Sequence, residues 1–282
     1  MHSATWLEVD GSQVYVEVAG SGKPVFCIHT AGQSGLQYRS VLQELPHYGY
    51  QVVVLDLPGH GRSLPALSGP IEDLHRYADI CWQVIQKLEL DNPIIVGCSV
   101  GGKIALDLCV HHGESIAAGV AMEADSYNGS LSVSGLRRSM SDAASPSQGD
   151  RTYFGALASC GVSVSSQVAE RIAVMHRRED SVVTSSDLIG WTTHDLRGDL
   201  HRVACPVLVV AGSDDFWVQV DRCAEVAALV PQAEFMLLEG VGHYPMEELE
   251  DFPTILSGWL ENLSQRRLPS SQKQEMEGVM DG

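Results

Sequence analysis

The sequence is poor in basic residues: it has 18 Lys and Arg against 36 Asp and Glu, which gives a formal net charge of −18. Such a negative surface repels nucleic acid and anionic membranes, so we expect neither as a partner. Long apolar runs are also missing, since no stretch approaches the roughly 18 residues that a membrane-spanning helix needs. Hydrophobic residues still make up 44% of the chain, as in an ordinary globular protein.

Cysteine pairs and metal-ligand motifs are missing as well. No two cysteines have the C-x-x-C spacing, and their number is odd: Cys27, Cys81, Cys98, Cys109, Cys160, Cys205 and Cys223. The first residues lack the basic start and the apolar core of a secretory signal. We therefore expect a cytoplasmic protein with reduced thiols. There is no H-E-x-x-H motif, and the adjacent His111 and His112 are wrongly spaced to share a metal, so no metal is expected.

Apolar patterns along the rest of the chain predict alternating strands and helices. Strands are predicted at 14–18, 24–28, 51–55, 94–96, 116–122, 206–210 and 235–238, the first of them at a sheet edge. Helices are predicted at 37–45, 71–88, 103–110, 220–229 and 251–263. Continuous apolar runs are typical of strands that are covered on both faces. The alternation therefore predicts an α/β fold with a mostly parallel sheet between layers of helices.

Between residues 125 and 200 this alternation stops. The stretch is rich in serine, shows no clear strand, and has helical patterns at 170–175 and 186–195. We interpret it as a helical cap, 125–200, inserted into a core formed by residues 1–124 and 201–264. The polar and unpatterned end of the chain, 265–282, is predicted to be disordered.

The segment Gly97–Gly102 has the spacing G-x-S-x-G and lies between a predicted strand and a predicted helix. This setting is typical of a nucleophile elbow, a sharp turn that holds its serine, here Ser99, in strained backbone geometry with the hydroxyl exposed. Glycine is favoured two residues to either side, because a side chain there would collide with the neighbouring strand and helix. The N–H groups at the start of the helix point to where an oxyanion would develop.

A serine nucleophile needs a histidine base and a carboxylate that orients the histidine. Two loops late in the chain supply these groups. Asp214 and Asp215 come shortly after the predicted strand 206–210, and His243 comes after the last predicted strand. Because the carboxyl ends of parallel strands meet at one edge of a sheet, we expect these side chains to lie near Ser99.

Together these motifs resemble the α/β-hydrolase fold superfamily, in particular its capped serine esterases and lactonases. The resemblance is carried by the elbow and by residues 29–32, 56–63, 212–215 and 242–245. It implies an eight-stranded, mostly parallel sheet flanked by helices, an inserted helical cap, and no cofactor. In the family the acid stands three residues after the glycine that ends its strand, and the base stands directly after a glycine. The resemblance therefore implies Asp215 and His243.

The resemblance also implies an oxyanion hole and one pocket residue. The first donor is the N–H of the residue after the nucleophile, Val100. The second comes from the early loop, where Ala31 is the leading candidate and Thr30 the alternative. The chain departs from the family at Thr30, where glycine is usual, and this adds a hydroxyl that is a further candidate donor. Cys98, a variable family position, is predicted to line the pocket as a substrate-binding residue.

Several alternatives remain open. Glu123 and Asp125 follow a predicted strand at a position where some family members place the acid. Four residues of the predicted cap are candidates either for the substrate pocket or for a small core of the cap itself: Tyr153, Phe154, Met175 and Trp191. Most of the histidines are expected to be structural, including His29 in the early loop and His60 in the Pro-Gly-His-Gly turn.

The function that follows is hydrolysis of a carboxylic ester or lactone through an acyl-enzyme on Ser99. The same triad would also serve C–C bond hydrolysis, thioester hydrolysis or acyl transfer, and a ligand-binding protein without catalysis is a further alternative. The serine argues against dehalogenase and epoxide hydrolase chemistry, whose elbows carry aspartate in the resembling families. We expect a small or medium uncharged substrate, and the oligomeric state stays open between monomer and homodimer.

Overall fold

A computed structural model describes residues 2–142 and 147–266, which contain one eight-stranded sheet. Its strands are β1 (His2–Val9), β2 (Ser12–Gly20), β3 (Lys23–Ile28), β4 (Tyr50–Leu55), β5 (Ile94–Cys98), β6 (Ala118–Met122), β7 (Val207–Gly212) and β8 (Ala233–Leu238). They are ordered β1-β2-β4-β3-β5-β6-β7-β8. The pairs β1–β2 and β2–β4 are antiparallel and every other pair is parallel. The predicted mostly parallel, eight-stranded sheet is confirmed.

The sequence patterns did not predict the first strand of the sheet, β1, and the prediction that residues 14–18 form an edge strand is wrong. β1 forms the edge and pairs with β2 through the two-residue turn Asp10-Gly11, whose φ angles are +48° and +72°. Both residues therefore adopt the left-handed conformation that a tight hairpin requires. Most side chains of β1 are exposed, so this strand lacks the apolar alternation by which strands are recognised. The Asp-Gly dipeptide was the signal that could have identified it.

Helices cover both faces of the sheet. They are α1 (Arg39–Glu44), α2 (Leu74–Lys87), α3 (Val100–His112), α4 (Val133–Ser141), α5 (Gln148–Ser159), α6 (Ser166–His176), α7 (Ser181–Thr193), α8 (Val220–Leu229), α9 (Pro245–Glu248) and α10 (Phe252–Arg266). Short 3-10 turns occupy Gly35–Tyr38, Leu45–Tyr48, Gly113–Ser115 and Leu200–Arg202. The core helices α2, α3 and α8 pack on one face, and α1 and α10 pack on the other.

The buried strands show why the apolar runs were continuous. In β3, Phe26 and Ile28 belong to the core cluster on one face of the sheet, and Val25 and Cys27 belong to the cluster on the other. Successive side chains of a strand point to opposite faces, so a strand with helices on both sides needs an apolar residue at each position. This sandwich holds the carboxyl ends of the parallel strands in fixed positions.

The segment between β6 and β7, residues 125–200, is called the inserted segment below. Its described residues form the helices α4 to α7 and no strand. The helical patterns at 170–175 and 186–195 fall on α6 and α7, although 194 and 195 lie beyond the end of α7. The helices α4 and α5 were not predicted, because their serine-rich sequences carry few apolar residues at helical spacing.

The structure describes only the first two residues of the predicted tail, 265–282. Residues 265 and 266, placed in the predicted disordered tail, form the last residues of α10. The rest of that tail, residues 267–282, lies outside the described residues. Among the helices of the described ranges, none combines the length and the apolar character that crossing a bilayer requires.

Candidate active site

Ser99 occupies the sharp turn between β5 and α3. Its φ and ψ angles are +57° and −118°, a conformation that non-glycine residues rarely adopt, and its side chain is almost fully buried. A Cβ added at Gly97 would lie 2.0 Å from the carbonyl oxygen of Gly101, and one added at Gly101 would lie 2.2 Å from that of Ile28. The close approach of strand and helix therefore explains both glycines.

Asp215 and His243 form a buried, hydrogen-bonded pair at the same edge of the sheet. His243 Nδ1 lies 2.8 Å from Asp215 Oδ2, and their side chains are 5% and 0% exposed. Burial by itself would raise the pKa of Asp215. The attraction of His243 and the hydrogen bonds that the carboxylate accepts outweigh that effect and hold the pKa below its usual value. The pair therefore keeps an anion beside the imidazole, which is what a catalytic histidine requires.

The neighbouring Asp214 has different partners. Its Oδ2 accepts a hydrogen bond of 2.8 Å from the N–H of Val162, and its Oδ1 accepts one of 3.0 Å from the Ser213 hydroxyl. Asp215 Oδ1, in contrast, accepts the N–H of Trp217 at 2.6 Å while Oδ2 faces His243. Of the two adjacent carboxylates, only Asp215 is directed to the imidazole.

The backbone around His243 is held from both sides. The Glu248 carboxylate accepts the N–H of Gly242 at 2.7 Å and that of Tyr244 at 3.0 Å. The N–H of His243 itself donates to the carbonyl oxygen of Ser159, the last residue of α5, at 2.8 Å. These contacts, which no local motif predicted, fix the loop that carries the imidazole.

Ser99 and His243 line one cavity of about 230 Å³. In this structure no hydrogen bond joins the Ser99 hydroxyl to His243 among the described residues, although both residues line the same cavity. Catalytic hydrogen bonds are often long in the absence of substrate and tighten when it binds. The cavity is the place where a substrate would meet both groups.

The hydrogen bonds of the early loop distinguish its two candidate oxyanion donors, Ala31 and Thr30. The N–H and the hydroxyl of Thr30 both donate to Gln37 Oε1, at 2.9 and 3.1 Å. The N–H groups of Ala31 and Val100 have no hydrogen-bond partner within the described parts of the chain. Ala31 and Thr30 both line the cavity, but only the Ala31 N–H is unoccupied. The geometry thus favours Ala31 over Thr30.

The inserted segment anchors the residues that follow Ala31. The N–H of Gly32 donates to Asp187 Oδ2 at 2.9 Å, and the Gln33 amide donates to Glu179 Oε1 at 2.6 Å. Asp187 Oδ2 also lies 2.7 Å from His60 Nε2, and both of these side chains are fully buried. His60 therefore links the inserted segment to the core and does not line the cavity.

Glu123 and Asp125 have other partners than His243. Glu123 Oε1 accepts the N–H of Gly212 at 2.7 Å, and Asp125 Oδ1 lies 2.8 Å from Lys103 Nζ in a buried ion pair. Burial, together with the charge of Asp215, raises the pKa of Glu123 well above its usual value. Both effects favour the protonated, neutral form of the Glu123 carboxyl beside Asp215.

The substitution Glu123→Gln tests that protonation state through the pH dependence of stability. A raised pKa in the folded state means that the carboxyl stabilises the fold at pH values below its unfolded pKa of about 4.3, and that this contribution is lost as the pH rises towards the folded value. Gln stays neutral, so the variant should gain stability relative to the wild type by about 1.4 kcal/mol per pH unit in that window. Urea unfolding at pH 5 and pH 8 gives the change in unfolding free energy of each protein. An equal change in the wild type and the variant would refute the raised pKa of Glu123.

The prediction that Cys98 lines the pocket is wrong. Its side chain is fully buried, is not among the residues that line the cavity, and donates from Sγ to the carbonyl oxygen of His243 at 3.3 Å. Cys98 is the last residue of β5, and the alternation of the strand turns it into the core beneath the His243 loop. It supports the loop and has no surface to offer a substrate.

The inserted segment supplies much of the cavity wall. Of the four cap candidates, Trp191 lines the cavity, whereas Tyr153, Phe154 and Met175 do not. The wall also includes residues that sequence reasoning missed: Leu136, His176, Glu179 and Leu188 from the inserted segment, and Trp217 and Tyr244 from the core. The core residues could have been suspected, since they stand close to Asp215 and His243 in sequence.

Comparisons with known proteins agree with this architecture. A profile described as the alpha/beta hydrolase fold matches residues 23–248. The AB hydrolase superfamily protein YisY of Bacillus subtilis is 25% identical over 240 residues, which are 82% of this chain and 88% of that protein. An esterase from Thermogutta terrifontis superposes with a TM-score of 0.82 at 21% identity, covering 93% of this chain and 99% of that one.

A lactonase has the same fold. The enol-lactonase from Burkholderia xenovorans LB400 superposes with a TM-score of 0.77 at 15% identity, covering 93% of this chain and 100% of that one. At these identities the superpositions establish only the fold. The matched profile spans most of the chain and establishes the family. The chain therefore belongs to the alpha/beta hydrolase fold family of enzymes.

Proposed function

We propose that this protein hydrolyses small, uncharged carboxylic esters or lactones, with Ser99 as nucleophile, His243 as base and Asp215 as the orienting acid. The observation that carries the proposal is the buried Asp215–His243 pair, 2.8 Å apart, at the wall of the cavity that Ser99 also lines. Because His243 Nδ1 is held by the carboxylate, the lone pair of Nε2 is left to take a proton.

Catalysis would proceed in two halves. Ser99 Oγ attacks the substrate carbonyl carbon as His243 Nε2 takes the hydroxyl proton, and the N–H groups of Val100 and Ala31 bind the oxyanion. The tetrahedral intermediate collapses to acyl-Ser99, and the leaving alkoxide takes the proton from His243. Water then attacks the acyl group, with His243 again as base, and the carboxylic acid leaves as the proton returns to Ser99.

In this proposal the inserted segment, 125–200, acts as the cap over the cavity. Leu136, Leu188 and Trp191 give it apolar surface for the substrate. Its contacts with the core include hydrogen bonds at Gly32 through Asp187 and at His243 through the carbonyl of Ser159. The cap would thus both cover the substrate and hold the two loops on which the oxyanion donor and the base reside.

The size and charge of the site limit the substrate. A cavity of about 230 Å³ is smaller than the 300–1,000 Å³ that is usual for sites of drug-sized ligands. The cavity wall carries one acidic and one basic side chain, Glu179 and Arg151, and the whole chain has a formal charge of −18, which slows the approach of anions. Both features favour a small neutral ester or lactone.

Labelling with a fluorophosphonate, followed by a substrate panel, tests this proposal. The wild type should be phosphonylated at Ser99, and the Ser99→Ala variant should not react. A panel of aryl esters, lactones and thioesters with the same variant as control then identifies the substrate class. Fastest turnover of a thioester would replace the ester assignment with a thioesterase. A folded wild type that does not react with the probe would instead fit a ligand-binding protein.

A further inference from the structure

A cluster of histidines around one buried aspartate lies outside the cavity, where α2, α3 and the end of α7 meet. His75 Nδ1 is 2.9 Å from Asp107 Oδ1, and His111 Nδ1 is 3.1 Å from the same oxygen. The candidate ligand atoms of these three residues all lie within 4.8 Å of one another. His194 Nε2 is 3.3 Å from the other carboxylate oxygen, Asp107 Oδ2.

We propose that this cluster, the His75 cluster, binds one Zn²⁺ ion through Asp107, His75 and His111, with His194 as a further ligand. Zinc bonds to nitrogen and oxygen at about 2.0–2.2 Å, so tetrahedral ligand atoms stand about 3.3 Å apart. The distances from Asp107 oxygens to the histidine nitrogens, 2.9 to 3.3 Å, are close to that separation. Small movements of the exposed His75 and His111 side chains would bring both imidazoles to an ion held by Asp107.

The unpartnered nitrogen of His194 points to a ligand here. Its side chain is only 8% exposed, and Nε2 makes no hydrogen bond although it lies 3.3 Å from Asp107 Oδ2. A buried polar atom without a partner is costly unless something else satisfies it.

Burial and access also suit an ion. The Asp107 side chain is 2% exposed, whereas those of His75 and His111 are 46% and 34% exposed. The carboxylate therefore forms the floor of the site and the two imidazoles flank an opening to solvent. A donor set of three imidazoles and one carboxylate favours zinc and its neighbours among the transition metals over Mg²⁺ or Ca²⁺.

The order of these residues explains why the sequence predicted no metal. Asp107 and His111 are one turn apart on α3, but His75 comes from α2 and His194 follows α7. Only the fold brings the three elements together. The adjacent histidines of the sequence, His111 and His112, have different partners. His111 lies against Asp107, whereas the His112 ring stacks on Trp82 with 3.9 Å between ring centres. A bound ion would join the end of the inserted segment to the core.

Calorimetric titration of the EDTA-dialysed full chain with Zn²⁺ tests the site. The wild type should bind one ion, and His75→Gln or His111→Gln should weaken the affinity about 100-fold or more, since even loss of an outer-shell partner costs 10- to 100-fold. His112→Gln, the adjacent histidine of the same helix, is the matched control and should bind like the wild type. Zinc should raise the Tm of the wild type and the control only.

Two further measurements exclude unfolding and cysteine ligation as explanations of the result. Thermal unfolding without metal establishes that each variant is folded, so that lost binding is not lost structure. Co²⁺ bound to the His75 cluster should show no thiolate charge-transfer absorption, which excludes the cysteines as ligands. Absence of stoichiometric binding, a folded His75→Gln variant with wild-type affinity, or a thiolate band would each overturn the proposal. None of these results depends on whether the protein hydrolyses esters.

Discussion

Ser99→Ala is expected to lower kcat for the best ester or lactone by about four to six orders of magnitude, with little change in KM. The variant loses only the hydroxyl, and Ala keeps the Cβ at the strained turn, where φ is +57°. The cavity and the two candidate oxyanion donors remain, so the residual rate should still exceed that of water alone. Single-turnover kinetics with the substrate identified in the panel measures the loss.

The corresponding base variant shows whether the residues act as one unit. His243→Ala should lose about as much activity as Ser99→Ala, and the double variant should lose little more than either one. This non-additivity distinguishes a nucleophile–base pair from two independent binding residues. Losses that simply multiply in the double variant would contradict the shared mechanism, as would a Ser99→Ala enzyme with wild-type turnover.

The parts of the fold that could be predicted are those whose cause is local. The strands β3 to β7 are continuous apolar runs because helices cover both of their faces. The elbow was recognisable because steric contact with the neighbouring helix and strand requires glycine at Gly97 and Gly101. Asp215 was separable from Asp214 through the resemblance, and the structure directs only Asp215 to His243.

The parts that could not be predicted depend on contacts between distant residues. Nothing near Gly32 in the sequence indicates that its N–H donates to Asp187, 155 positions away. Cys98 was placed in the pocket because it adjoins Ser99, but the strand alternation turns it into the core. The His75 cluster is assembled from two helices and the residue that follows a third, and therefore no spacing along the chain could reveal it.

Asp215→Asn is expected to lower kcat by about 10⁴-fold. Asp215 Oδ1 accepts the Trp217 N–H at 2.6 Å, so an asparagine would keep its carbonyl oxygen there and turn its NH₂ group to His243 Nδ1. An NH₂ group donates where the carboxylate accepted, which would place the imidazole proton on Nε2, the atom that must take the Ser99 proton. The loss should therefore appear in kcat, with the fold and KM largely unchanged.

Asp214→Asn is the matched control, because it makes the same change one residue away. Asp214 accepts hydrogen bonds from the Val162 N–H and the Ser213 hydroxyl and does not face the imidazole, so its variant should retain activity within about threefold. Steady-state kinetics of both variants decides between them. A large loss in Asp214→Asn alone would reverse the assignment of the acid. If neither variant lost activity but Glu123→Gln did, the acid would be Glu123, directly after β6.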